Sequence, residues 1–316
     1  MTQKDETAVA RWSKTVRLHR MSSFHRFPAL LHPAARIGWQ YFSVHWSTVV
    51  GIAAVWILYE WRARVHRARA ATPEEAAGPT RGQHTLFVGG LLVLFLSLNG
   101  PLHDLSDYYL FSAHMVQHLA LTLVVPPLLI LGTPGWMLRP ALKYPLVNRW
   151  AHRLTGARTT FLIFNVVLAG WHLPPLYNLA MANHNVHIVE HLMFLVSATL
   201  MWWPLTSQMP ELPRLAYPGQ MLYCFLMTIP MSIVALTITL ADHLLYPAYA
   251  AAPRIWGITP MVDQAAGGLI MWVPGTLFFL VVLSVVFFKW VDADSDDTAG
   301  AQVKWRPAHQ PTLNQP

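Results

Sequence analysis

Seven apolar segments, each long enough to cross a membrane as a helix, leave few folds open to this 316-residue chain. A hydrocarbon core of roughly 30 Å needs about 20 mainly apolar residues in helical conformation. Charged residues make up only 12% of the sequence and hydrophobic residues 54%, which is too little charge for a soluble domain of this size. The sequence therefore predicts an all-α membrane protein, a bundle of seven transmembrane helices near 43–61, 84–103, 110–132, 159–178, 184–205, 218–241 and 264–288.

These segments divide the chain into a basic tail at 1–40, a seven-helix membrane domain at 41–290 and a flexible cytoplasmic tail at 291–316. The first 20 residues contain neither an apolar core nor a small-residue cleavage site, so no cleaved signal peptide is expected. The net charge of +7 comes from basic residues beside helix ends, where they act as topology signals. We therefore expect the lipid bilayer as a partner and no nucleic acid.

The distribution of basic residues predicts the orientation of the bundle. The loops after the second and fourth segments contain no Lys or Arg. Loops rich in Lys and Arg stay on the cytoplasmic side, so we expect the amino terminus outside and the carboxyl terminus in the cytoplasm. The basic residues that carry this prediction follow the first and third segments: Arg62, Arg64, Arg67, Arg69, Arg81, Arg139, Lys143, Arg149, Arg153 and Arg158.

Three predicted helices each place a histidine at a similar depth below the outer membrane boundary. Counting inward at 1.5 Å per residue puts His118, His172 and His191 about 9 to 12 Å deep. His114 lies one helical turn above His118, and His187 lies on the same stripe of the fifth helix as His191. Imidazoles buried without polar partners would be costly at this depth. The sequence therefore predicts a metal site formed by His114, His118, His172, His187 and His191.

Other polar residues gather at the same end of the bundle, where they are candidates for a supporting role around the metal. A single histidine near a helix end is more often a capping or interfacial residue than a ligand, and taken singly His45, His103, His184 and His243 are interpreted in that way. The supporting candidates are Met115, Glu190, Asp242, His243, Asp263 and Gln264.

The residue types favour copper but leave two alternatives open. Imidazole suits copper, zinc, iron and nickel, whereas the thioether of methionine selects copper(I), and Met115, Met181 and Met193 lie near the histidines in sequence. His187, Glu190 and His191 also fit H-x-x-E-H, in which two histidines bind zinc and the glutamate activates water for hydrolysis. Facing histidines could instead ligate a b-type haem. Haem and zinc are the less favoured cofactors.

Six motifs together resemble the CtaG family of bacterial cytochrome c oxidase assembly factors. They are LFSAHMVQHL (110–119), GTPGWMLR (132–139), WHLPPLYN (171–178), EHLMFLVSATLMWWPL (190–205), LYPAYA (245–250) and MVDQAAGGLIMWVPG (261–275).

This resemblance implies a multi-pass protein of the bacterial plasma membrane that is not an enzyme. It implies a role in the assembly of a haem-copper oxidase, with copper handling as the expected means. It implies oxidase subunits as partners, and an extracytoplasmic copper chaperone is a further candidate. The positions that match the family pattern are His114, His118, His172, His191, Asp263 and Gln264.

Overall fold

The computed structural model describes residues 43–70, 72 and 77–304, with side chains as far as residue 294, and all its regular elements within these ranges are helices. The predicted tail at 1–40 and residues 305–316 lie outside the described residues. The first half contains α1 (Trp46–Arg69), α2 (Arg81–Leu98), α3 (Pro101–Tyr108), α4 (Phe111–Gly132), α5 (Gly135–Leu138) and α6 (Pro145–Leu154).

The second half contains α7 (Ala157–His172), α8 (Pro174–Ala182), α9 (His184–Thr206), α10 (Tyr217–Thr239), α11 (Pro247–Ala250) and α12 (Pro260–Lys304). Helices α9, α10 and α12 lie near their predicted positions. The last of them continues well past the predicted end at residue 288.

Five of these helices, α2, α4, α9, α10 and α12, are long and apolar enough to cross a membrane. A sixth span results if α6 and α7, which are bent by 72° at a short break, are counted together. The apolar part of α1 runs into Glu60 and Arg62, which lowers its mean hydropathy. The prediction of an all-helical membrane protein is confirmed within the described residues, and the count of seven spans stays a prediction.

The predicted continuous helix at 159–178 is broken in the structure at Leu173. This residue has extended backbone angles (φ −66°, ψ 130°) and lies between the end of α7 and the start of α8. A residue before proline avoids the helical region, and Pro174 and Pro175 have no N–H to continue the hydrogen-bond ladder. The break makes His172 the last residue of α7.

The middle of α4 contains a wide π-helical turn at Ala120–Val124, which begins two residues after His118. Pro126 has no N–H, so it cannot donate to the carbonyl of Thr122 four residues earlier. The indole Nε1 of Trp202 on α9 donates to that carbonyl instead, at 2.8 Å. A side chain from α9 therefore satisfies the backbone group that the proline leaves free, which ties α9 to α4 beside the histidines.

We expect Trp202→Phe to destabilise the protein because it leaves the buried carbonyl of Thr122 without this donor. Leaving a buried acceptor unsatisfied costs about 1–3 kcal/mol, and loss of ring area adds to that cost. Thermal unfolding in detergent measures the effect, with Trp150→Phe as the control because Trp150 is 50% exposed. Equal melting temperatures for the two variants would contradict the assigned role of the indole.

Candidate metal site

The start of α4 is held in place by a carboxylate from another helix. Leu110, which precedes α4, makes no side-chain capping hydrogen bond. The buried Asp263 of α12 accepts hydrogen bonds from the backbone N–H groups of Phe111 at 2.7 Å and Ser112 at 3.1 Å. A carboxylate at a helix amino terminus satisfies free N–H groups and interacts favourably with the helix dipole. Asp263 thus positions the first turns of α4, which carry His114 and His118.

The predicted histidines of α4 and α9 meet in the interior of the bundle. The rings of His114 and His118 have centroids 4.1 Å apart. On α9, the Nε2 atoms of His187 and His191 lie 3.1 Å apart. His114, His118 and His191 each offer one ring nitrogen, and these three atoms all lie within 4.8 Å of one another. Such spacing suits three ligands of a single ion.

A carboxylate that the sequence analysis missed completes a second group. Asp107 of α3, His114 and His187 each offer one ligand atom, again within 4.8 Å of one another. The Oδ2 atom of Asp107 lies 3.7 Å from Nδ1 of His187 and 3.4 Å from Nε2 of His103. His114 belongs to both groups, so the two form one continuous cluster. The pair His103 and Asp107, four residues apart on a short helix, was the available signal in the sequence.

His172 lies beside this cluster with one ring nitrogen fixed by the backbone. Its Nδ1 donates to the carbonyl of Leu168 at 2.7 Å, so in the neutral ring Nε2 keeps a free lone pair. The ring centroid is 6.1 Å from that of His118. Both histidines line a cavity of about 20 Å³ that also contacts Met115, Met231 and Met271. His172 therefore adjoins the cluster, although it is outside its two close groups.

Several buried polar atoms in the cluster and directly beside it have no hydrogen-bond partner among the described residues. These are both ring nitrogens of His114 and of His118, Nε2 of His172 and both carboxylate oxygens of Glu190. Glu190 is 1% exposed, and its Oε1 atom lies 4.0 Å from Nε2 of His118. Buried polar groups without partners are costly. A bound cation would satisfy the imidazole lone pairs, and this donor set suits copper, zinc, iron or nickel.

Three of the predicted supporting residues form hydrogen bonds in the loop after α10. Asp242 and His243 are exposed, and Nδ1 of His243 donates to Oδ1 of Asp242 at 2.6 Å. This hydrogen bond lowers the pKa of Asp242 below its usual value. Gln264 accepts from the N–H of Leu245 at 2.8 Å and donates to the carbonyl of His243 at 3.1 Å. Gln264 thus anchors the loop after α10.

The loop after α10 carries two buried tyrosines, which form hydrogen bonds with the helices around the cluster. The hydroxyl of Tyr246 donates to the carbonyl of His172 at 2.9 Å. The hydroxyl of Tyr249 donates to the carbonyl of Ser106 at 2.8 Å and lies 2.8 Å from the hydroxyl of Tyr177. These bonds connect α3, α7 and α8, and sequence reasoning assigned no role to the tyrosines.

Comparison with known proteins gives one family and a few distant relatives. Residues 57–293 match the family model of the cytochrome c oxidase caa3 assembly factor, Caa3_CtaG. Uncharacterized proteins of Mycobacterium bovis and Mycobacterium tuberculosis are each 26% identical to this chain over 201 residues, which cover 58% of this chain and 30% of the relative. A Mycobacterium leprae protein is 24% identical over 203 residues, with the same coverage.

The chain thus spans about 30% of the length of the curated relatives it matches. No solved structure matches it. The family model covers most of the chain, including the helices that carry all five predicted histidine ligands. The resemblance read from the six motifs is confirmed, and the protein belongs to the cytochrome c oxidase caa3 assembly factor (CtaG) family.

Proposed function

We propose that this protein is an assembly factor for a haem-copper oxidase and that it carries copper as cargo in the histidine cluster. The observation that supports this most is the convergence of imidazoles from α4 and α9, where three ligand atoms lie within 4.8 Å of one another and the ring nitrogens of His114 and His118 have no hydrogen-bond partner among the described residues. Family membership supplies the oxidase as the target. The role is delivery of an ion, without a catalytic step.

Copper fits the donor set better than the other metals because thioethers adjoin the imidazoles. Met115, Met231 and Met271 line the same small cavity as His118 and His172, and thioether together with imidazole favours copper(I). His114 and His118 have no competing protein hydrogen bond among the described residues, so they can exchange an ion readily, as a carrier requires. Met193, by contrast, is 40% exposed and lines a separate groove with Ile163 and Val167.

A b-type haem is the weaker alternative because the cluster leaves no room for a macrocycle between its histidines. Haem ligands approach the iron from opposite sides of the porphyrin. His114 and His118 lie on one helix face with ring centroids 4.1 Å apart. His118 and His172 adjoin a cavity of about 20 Å³, which holds roughly one water molecule.

For the membrane topology we propose seven spans, with the amino terminus outside and the carboxyl terminus cytoplasmic. The 24 residues of α1 extend about 36 Å at 1.5 Å per residue, enough to cross the core. The charges of α1 fall in its second half, beside the other basic loops, which the positive-inside rule places in the cytoplasm. The histidine cluster then faces the extracytoplasmic side of the plasma membrane.

This orientation determines the partners that we propose. Copper would arrive from outside, delivered by an extracytoplasmic copper chaperone, and would leave to the subunits of the oxidase during assembly. We assign Glu190, which is buried beside His118, a supporting role, in which it orients an imidazole or balances the charge of a bound ion. We prefer this role to the activation of water at a zinc ion.

Deleting the gene in a host that produces the oxidase tests the function. We expect the oxidase from the deletion strain to contain less copper than that of the parent, with lower activity, and the wild-type gene to restore both. Copper per oxidase, measured by elemental analysis of the purified enzyme, is the readout. Fully metallated oxidase in the deletion strain would overturn the proposal.

A further inference from the structure

We propose that His45 and His184 form an uptake site, which receives a copper ion at the surface of the bundle and passes it alongside His103 to the buried cluster. The inference rests on the proposed copper-carrying function and adds the route by which the ion arrives. Its starting point is the burial of the cluster, because His114 is 0% exposed and His118 only 5% exposed. A carrier with ligands this deeply buried needs a path to them.

A groove beside the cluster provides such a path. It is a cavity of about 210 Å³ lined by residues of α1, α2, α3, α4 and α9 and by His45, which precedes α1. Four of its lining side chains are histidines, His45, His103, His184 and His191, and most of the others are apolar. His191 also belongs to the buried cluster. The groove therefore leads directly to one of the candidate ligands.

The imidazoles along this groove follow one another at short intervals from the surface inward. The ring centroid of His45 is 6.2 Å from that of His184 and 4.4 Å from that of His103. That of His103 is 6.5 Å from that of His191. Metal–imidazole bonds are about 2 Å long, so two rings that share an ion have centroids roughly 6 Å apart. Exposure falls along the series, because His184 is exposed, His45 is half-buried and His103 is 6% exposed.

His45 is held in place by backbone hydrogen bonds that do not use its imidazole. The N–H of His45 donates to Oδ1 of Asn99 at 2.7 Å, and the N–H of Gly100 donates to the carbonyl of Ser43 at 2.8 Å. These bonds fix the start of α1 against the turn between α2 and α3. The backbone angle φ of Gly100 is 71°, in a left-handed region that glycine adopts readily because it has no Cβ atom. The rings of His45 and His184 remain available to a ligand.

The inner end of the groove is oriented toward the carboxylate of the cluster. Gln117 donates from Nε2 to Nδ1 of His103 at 3.1 Å and to the carbonyl of Ser97 at 2.7 Å. Because Nδ1 of His103 accepts from Gln117, its Nε2 carries the proton and lies 3.4 Å from Oδ2 of Asp107. His103 therefore orients Asp107, whose Oδ2 lies 3.7 Å from Nδ1 of His187. An ion that moves inward from His45 thus meets a carboxylate shared by His103 and His187. These contacts bridge the groove and the cluster.

The test compares rates of copper loading between the full-length protein and His45→Ala/His184→Ala, both purified in detergent. Copper(I) is supplied as its bicinchoninate complex, whose absorbance falls as the protein removes the metal. Surface ligands raise the local concentration of an ion, so we expect loading to slow by roughly tenfold or more in the variant, with unchanged final copper per protein. His152→Ala is the matched control, because His152 is exposed on α6, near the opposite end of α7 from His172.

A further variant, His45→Met/His184→Met, replaces imidazole by a thioether that also binds copper(I). We expect it to regain most of the loading rate, which a merely structural role of the imidazoles would not produce. Loading of the alanine variant at the parental rate would overturn the uptake site. A fall in final copper per protein as large as the fall in loading rate would also overturn it, because these residues would then be storage ligands. A parent protein that takes up no copper would overturn the carrier function itself.

Discussion

His114→Ala/His118→Ala is expected to abolish copper binding without lowering the stability of the copper-free protein. The two side chains supply two of the three ligand atoms within 4.8 Å of one another, and His114 also belongs to the group with Asp107. Changes to residues that only orient metal ligands cost about 10- to 100-fold in affinity, so loss of two ligands should cost more. Copper per protein after copper(I) loading and desalting, measured by elemental analysis, is the readout.

The thermal stability of the copper-free protein distinguishes a ligand role of His114 and His118 from a structural role. None of the four ring nitrogens of His114 and His118 has a hydrogen-bond partner among the described residues. Removing buried polar groups that lack partners relieves a desolvation cost, which offsets the packing lost. Thermal unfolding without copper should therefore be similar for parent and variant, and copper should stabilise the parent alone. If the variant retains copper, or unfolds much more readily without it, the cluster is not the cargo site.

The depth of the histidines was predictable from sequence because helix geometry is regular. A rise of 1.5 Å per residue and a turn of 3.6 residues convert the positions of His118 and His191 into depth and direction. Both meet in the structure, together with His114 and His187. The kink at Leu173 was harder to place, since prolines are common in membrane helices. It leaves His172 at the end of α7.

The roles of the supporting polar residues could not be read from the sequence, because they depend on contacts between distant segments. Asp263 and Gln264 are adjacent in the chain, yet one caps α4 and the other holds the loop after α10. Asp107 was missed because it lies in a short connection between predicted spans, outside the depth count. Asp242 and His243 satisfy each other at the surface. All of these residues lie near a helix end, so that position alone did not distinguish a residue of the cluster from one that caps a helix, anchors a loop or pairs at the surface.

Close contact between helices limits where α4, and the ligands on it, can lie. Near the end opposite the histidines, three helices meet at Gly132. The hydroxyl of Tyr59 on α1 donates to the Gly132 carbonyl at 3.0 Å, and the ring of Tyr59 stacks on Phe87 of α2 at 3.9 Å. The position of α4 against α2 therefore depends on how closely the backbone of Gly132 approaches Phe87.

Gly132→Ala is expected to give a large loss of stability. A Cβ atom added at Gly132 would lie 2.5 Å from the backbone N and 2.7 Å from the Cα of Phe87. Since these are backbone atoms, the clash cannot be relieved by rotating a side chain, and α2 and α4 must separate. Overpacking of this kind costs about 1–3 kcal/mol, occasionally more. Thermal unfolding in detergent, with and without copper, measures the change.

Gly170→Ala on α7 is the matched control, because a Cβ atom added there has nothing within 4 Å. Alanine in a helix interior is favoured over glycine by roughly 0.5–1 kcal/mol, so this variant should be unchanged or slightly more stable. Gly132 is 14 residues from His118, about 21 Å along a helix, so the folded fraction of Gly132→Ala should still bind copper. Unchanged stability of Gly132→Ala would contradict the close contact of α2 and α4, and loss of copper from folded protein would mean that the contact also positions the ligands.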